Sequence, residues 1–149
     1  MTIREATRLD VKEILGLIQE LADFEKAPNQ VENTVEDLES DLFDSKCCEA
    51  IVCEMDNEIV AFALYYTSYS TWKGKCIYLE DLYVQPSYRK HGIGQILFDR
   101  VVEVAKRSKH RRMDWQVLDW NAPAIAFYEK NNAVLDSQWV NGRLFFNYN

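Results

Sequence analysis

The 149-residue chain holds only three prolines, five glycines and two histidines. So few breakers exclude collagen-like and low-complexity architectures and leave no stretch that reads as a linker. The longest uninterrupted apolar run, residues 59–66, has eight members. That is far short of the ~20 a membrane-spanning helix needs. The opening MTIREATRLD is charged by its fourth residue and has no apolar core, so no secretory signal is expected. Four cysteines, Cys47, Cys48, Cys53 and Cys76, include no CxxC pair and no histidine at ligand spacing. No metal site is expected from them; they read as reduced, small hydrophobes in strand-like stretches of a cytoplasmic protein. A catalytic thiol would need a base, and only His91 and His110 exist.

What remains is a chain that is 48% apolar and 13% aromatic, enough for one core, so a single domain over residues 1–149 is expected. The net charge of −7 is unevenly spread. Residues 1–60 carry 16 acidic against 5 basic side chains, and residues 61–149 carry 8 against 12. Such a split suits one cationic and one anionic partner, or a merely solvated acidic surface. The basic run at residues 106–112 ends a helix, where the dipole favours cations. With no nucleic-acid motif elsewhere, no nucleic-acid partner is expected.

Periodicity gives the element order. Residues 2–6 read as a strand. Asp10 and Glu13 read as a capping box ahead of Ile14, Leu17, Ile18 and Leu21, and Thr34 with Asp37 as a second box ahead of Leu38 and Leu42. Residues 47–55 and 59–66 read as strands about an Asp56-Asn57 turn, and residues 75–84 as another strand. A helix follows from about Gly94 to Arg107, with Ile93, Leu97, Val101 and Val104 on one face. Residues 113–120 alternate as a strand. Asn121 caps a helix with Pro123 in its first turn. Residues 134–140 and 143–148 flank Asn141-Gly142, a hairpin signal. The order βααβββαβαββ is an α/β arrangement with a mixed sheet, and ligands of such sheets bind at strand carboxyl ends.

Between the strand at 75–84 and its following helix stand Arg89, Lys90, His91, Gly92, Ile93 and Gly94. Two glycines allow a tight turn and close backbone approach, and the N–H groups opening the helix favour an anion. A P-loop would need GK[ST], and a dinucleotide fingerprint a third glycine where Leu97 stands; both fail. Arg-x-x-Gly-x-Gly after a strand resembles the acetyl-CoA pyrophosphate motif of the GNAT superfamily of N-acetyltransferases. Tyr78-Leu79-Glu80-Asp81, Tyr88-Arg89, Trp120-Asn121, Phe127-Tyr128, Leu21-Ala22, Phe24-Glu25 and the segment Ser70-Thr71-Trp72-Lys73-Gly74 extend the likeness. Together they resemble the diamine (spermidine/spermine) acetyltransferase and thialysine Nε-acetyltransferase branch.

The resemblance implies a GNAT-like fold and transfer of acetyl from acetyl-CoA to a small cationic amine by direct attack. It implies that Arg89, Lys90, His91, Gly92, Ile93, Gly94 and Gln95 hold the pyrophosphate. Leu82, Tyr83 and Val84 would line the pantetheine arm, and Asn121 would also contact the coenzyme. It makes Tyr128 the acid that protonates the leaving thiolate, a role suited to a phenol of ordinary pKa ≈ 10. Glu80 would take the ammonium proton through water. Phe24, Glu25, Trp72 and Asp81 would join Glu80 in receiving the amine. In a regular strand Glu80 and Asp81 face opposite sides, so sharing one cleft requires a bulge. A homodimer is also implied. The family's Glu-Gly-Trp-Arg pattern is Val140-Asn141-Gly142-Arg143 here, which leaves thialysine, lysine-like and other small amines open beside polyamines. A peptide N-acetyltransferase and a non-catalytic acetyl-CoA-binding module are the competing functions.

Overall fold

In the computed structural model, which describes residues 1–148, the chain forms two compact units, Met1–Gln116 and Val117–Asn149. The first carries a five-stranded sheet in sequential order. Its strands are β1 (Thr2–Glu5), β2 (Glu49–Met55), β3 (Glu58–Ser70), β4 (Gly74–Val84) and β5 (Met113–Asp114). The pairs β1–β2, β2–β3 and β3–β4 are antiparallel, and β4–β5 is parallel. The helices of this unit are α1 (Val11–Phe24), α2 (Val35–Phe43) and α3 (Ile93–Arg107).

The faces follow from periodicity. Val11, Ile14 and Leu17 of α1 and Leu38 and Leu42 of α2 are buried in one cluster with Ala50, Val52, Phe62, Leu64 and Tyr83. The intervening residues Ile51, Cys53, Ala61 and Ala63 are also buried. Strand alternation turns them to the opposite face, and α3 covers the sheet with its buried Ile93, Leu97, Phe98, Val101 and Ala105. A sheet covered on both faces explains why residues 59–65 are buried without a break.

Thr34 caps α2 as expected, accepting from the Asp37 N–H at 3.1 Å. Asp10 does not cap α1 with Glu13. It closes a box one turn earlier, accepting from the Thr7 N–H at 2.7 Å and from Arg4 Nη1 at 2.7 Å and Nη2 at 3.0 Å. This carboxylate is 5% exposed, and Arg4 also reaches Glu54, so the network pins the start of α1 to β1 and β2. Arg4 keeps 32% of its side-chain exposure and can be rehydrated when its partner is lost. Asp10→Ala is therefore expected to cost about 2 kcal/mol, read by urea unfolding at pH 7. The Arg4 hydrogen bonds hold the Asp10 carboxyl below the usual carboxylate range. That stabilisation is present above the unfolded carboxyl pKa and is lost as pH falls through the lower folded value, so variant and parent converge in acid.

Three expectations are corrected. Cys47 and Cys48 precede β2 rather than lying in it, and Cys47 is exposed. The strand expected over residues 113–120 shrinks to Met113–Asp114. The final hairpin is not formed: residues 133–148 contain neither helix nor strand. There the Asp136 carboxylate accepts from the Gln138 N–H at 2.9 Å and the Trp139 indole at 3.2 Å. This local turn competes with ladder pairing. In the second unit, α4 (Ala122–Lys130) starts on Asn121, whose Oδ1 accepts from the Ala124 N–H at 3.3 Å. Past its end Asn132 takes the left-handed φ of 63° expected for an asparagine cap. No helix among the described residues is long and apolar enough to cross a membrane.

Candidate active site

The site of the first unit is built where β4 leaves β5. The two strands pair only at Ile77 with Met113 and Tyr78 with Asp114. Beyond Tyr78 no strand among the described residues pairs with that edge of β4, while the other edge stays on β3 as far as Val84 opposite Ala61. Gln85 donates its N–H to the Val60 carbonyl at 2.9 Å, so alternation turns the backbone groups of Leu82 and Val84 to the open edge. An extended ligand arm can pair there as an added strand.

At the carboxyl end of β4 the chain turns into α3. Lys90 (φ 68°) and Gly92 (φ 78°) are both left-handed, and Gly92 caps the helix. The first helical hydrogen bond runs from the Ile96 N–H to the Gly92 carbonyl at 3.0 Å, so the N–H groups of Ile93 and Gly94 precede the ladder and point out of the helix end. Ile93 is buried and anchors the turn, while Lys90 and His91 are exposed beside it. Gly92 is required by its backbone angle. Gly94 is not: a Cβ there would make only an ordinary 3.8 Å contact with Val84.

Acidic groups converge on the same strand. The β3–β4 register slips by one residue: Leu64 faces Asp81 and Tyr65 faces Leu79, so Glu80 is the extra residue of a bulge. This is the bulge that a shared cleft for Glu80 and Asp81 requires. Asp81 lies opposite Leu64, on the face covered by α1 and α2. Burial, and then the Glu80 and Glu25 carboxylates, push the Asp81 carboxyl up to about 7. Burial also raises the pKa of Glu25, which follows α1 as its cap. Glu80 is exposed and Asp81 partly buried.

Other expected residues fall elsewhere. Trp72 is 83% exposed in the turn between β3 and β4. Glu80 lies six residues along β4 from Gly74, about 20 Å at the strand rise. The structure does not bring Trp72 to the carboxylates. Arg89 is exposed, and at the surface its guanidinium lies over Phe24 and Tyr83, with Nε donating to the Val84 carbonyl at 2.8 Å. In the second unit Tyr128 is buried and meets Phe127 edge-on, with ring centroids 5.3 Å apart. Glu20 and Gln85 escaped the sequence reading: Glu20 accepts from the Tyr83 hydroxyl at 3.2 Å and from Gln85 Nε2 at 3.1 Å. The available signal was Glu20 and Phe24 at i, i+4 on α1.

Comparison with known proteins bears on this arrangement. The model of the acetyltransferase (GNAT) family matches residues 15–133. Over 136 residues the chain is 43% identical to a thialysine N-epsilon-acetyltransferase of Bos taurus, covering 85% of this chain and 80% of the bovine protein. It is 35% identical to a human spermidine/spermine N(1)-acetyltransferase-like protein 1, covering 99% of this chain and 22% of the human one. Among solved structures, an aminoglycoside acetyltransferase from an uncultured soil metagenome superposes with a TM-score of 0.80 at 18% identity. That match covers 98% of this chain and 96% of the other, and carries the fold alone.

Proposed function

The chain belongs to the GNAT acetyltransferase family and is an N-acetyltransferase acting on amines; from that premise we propose that it moves the acetyl group of acetyl-CoA to a primary amine of a small cationic substrate. The observation that carries this reading is the Asp81 carboxyl, raised to about 7 by burial and by Glu80 and Glu25 at the bulge of β4.

An alkyl ammonium has pKa ≈ 10.4. Its proton transfer to an ordinary aspartate near 3.9 is uphill by about 9 kcal/mol, but to a carboxylate near 7 by only about 5. Asp81 is thus the better proton acceptor, with Glu80 and Glu25 supplying the negative surroundings that keep it basic and attract a cation. This shifts the weight from Glu80, the residue the resemblance favours, to its neighbour. Glu25 would face a second positive group of the substrate.

Acetyl-CoA, when bound, supplies the acyl group as a thioester and a thiol as leaving group. The N–H groups of Ile93 and Gly94, with Lys90, His91 and Gln95 around them, suit its diphosphate. The open-edge N–H groups of Leu82 and Val84, beside Tyr83, suit its extended arm, and one of them can polarise the acyl carbonyl. The amine loses one proton to Asp81; the N–C bond forms as the C–S bond breaks, and the second nitrogen proton ends on sulfur. Tyr128 takes the acid's part by the motif resemblance, and Asn121 the coenzyme contact.

A thiol-release assay over thialysine, lysine, spermidine, putrescine and short peptides, run beside calorimetric titration of CoA, tests the reading. Binding of CoA and turnover on one or more free amines are expected, with peptides slower. CoA binding without turnover on any amine overturns it, and preference for peptides moves the substrate to polypeptide.

A further inference from the structure

Arg89 lies in the stretch that the resemblance gives to the coenzyme's diphosphate, yet its side chain is held by the protein itself. Its Cζ sits 5.5 Å from the Phe24 ring centroid and 5.6 Å from that of Tyr83. Its Nε donates to the Val84 carbonyl, one of the groups on the open edge of β4, at 2.8 Å. Around it the Tyr83 hydroxyl and the Gln85 amide both donate to Glu20. Glu20 and Phe24 occupy successive turns of α1 on one face. The last two turns of α1 are therefore fastened to the end of β4 through one charged and aromatic cluster.

The fastening bears on the amine through the neighbour of Phe24 in the chain. Glu25 is that neighbour, and α1 stops there as Lys26 turns left-handed (φ 62°). Phe24 is 42% exposed, so core burial alone does not fix its ring, and the guanidinium laid over it adds a hold. A planar, weakly hydrated guanidinium can stack on two rings and still spend one N–H on a carbonyl. The point charge of a lysine cannot do both.

We propose that Arg89 is a positioning residue: stacked on Phe24 and Tyr83 and tied to Val84, it fixes the end of α1 so that Glu25 stands against Asp81 at the amine, and it does not grip the diphosphate. The inference rests on the preceding reading of Glu25 and Asp81 as the amine's site. It divides labour between adjacent residues of one motif, with Arg89 serving the acceptor and Lys90 onward the coenzyme.

Four variants test it: Arg89→Lys, Phe24→Leu, the double variant, and Phe24→Tyr, which keeps the ring face. Acetylation of an amine by the parent protein comes first; its failure would count against the proposed function and not against Arg89. With the parent active, Arg89→Lys and Phe24→Leu should each raise the KM for the amine about three- to fivefold, the range of an exposed cation–π contact. CoA affinity by calorimetry should stay within about twofold, because a lost diphosphate contact is not part of the change. The double variant should lose no more than Arg89→Lys alone, since Phe24→Leu removes one of the contacts that the arginine makes. Phe24→Tyr should restore the parent KM. A tenfold loss of CoA affinity with an unchanged amine KM would make Arg89 a diphosphate contact and overturn the proposal. Multiplying losses in the double variant, or a Phe24→Tyr variant as poor as Phe24→Leu, would overturn it too. If Arg89→Lys fails to fold, judged by circular dichroism, the two Phe24 variants decide alone.

Discussion

Asp81→Asn is expected to lower turnover by about two to three orders of magnitude, the usual worth of a positioned proton acceptor. In the parent protein kcat/KM for the amine should rise with pH through about 7, as the carboxyl ionises. The variant should lose that rise and follow the ammonium's own ionisation, near 10.4, instead. The same substitution should make the protein more stable. The folded carboxyl has its pKa raised to about 7 against about 3.9 when unfolded. Between those values the folded state holds a proton that the unfolded state has lost, so the parent's stability falls as pH rises through the window. Above it, the full cost of a buried charge remains; below pH 4 there is none. Asn mimics the neutral carboxyl and carries no such cost, so at pH 8 the variant should gain roughly 2–4 kcal/mol in urea unfolding. An inactive protein that is also more stable cannot owe its inactivity to a damaged fold. Unchanged turnover in the variant, or a parent profile flat between pH 6 and 8, would remove Asp81 from the chemistry.

What could be read from residues alone divides along a physical line. Signals completed within one turn or one strand were legible. Thr34 and Asp37 make their cap, Asn121 makes another, and Gly92 takes the left-handed angle that a sharp strand-to-helix turn needs. The faces of α1 and α3 follow from 3.6-residue spacing, and the parallel β4–β5 pair from the helix between them. Features set by a partner strand or a distant side chain were not legible. Alternation puts Glu80 and Asp81 on opposite faces of a regular strand; the slip against Leu64 and Tyr65, which makes Glu80 the extra residue of a bulge, is set by the partner strand. Asp10 followed the capping pattern, but Arg4 and Thr7, upstream on the chain, compete for its carboxylate and win. The motif around Arg89 records sequence neighbours, so its contact with Phe24, 65 positions away on another element, was not legible. Asn141-Gly142 is a strong hairpin signal, yet a turn needs strands to join, and Asp136 diverts the first of them.

Tyr128→Phe is expected to cut turnover by about two orders of magnitude while leaving coenzyme affinity within about twofold. An amine that enters as an ammonium ion leaves as an amide, and so sheds two protons. One goes to the carboxylate, and the other must reach a thiolate that is a poorer leaving group unless protonated as the C–S bond opens. A phenol can give up its proton to that sulfur and be restored from the nitrogen. Phenylalanine keeps the ring and the edge-on contact with Phe127 that the tyrosine makes at 5.3 Å, so only the O–H is removed. A packing role for Tyr128 would leave turnover nearly intact, because the hydroxyl adds little to the volume of the ring. The two roles separate further by leaving group. A thioester whose thiol is more acidic needs less help from an acid, so the deficit of the variant should shrink with such a donor. A deficit of constant size across donors, or full turnover with acetyl-CoA, would end the acid role and leave the hydroxyl a structural one.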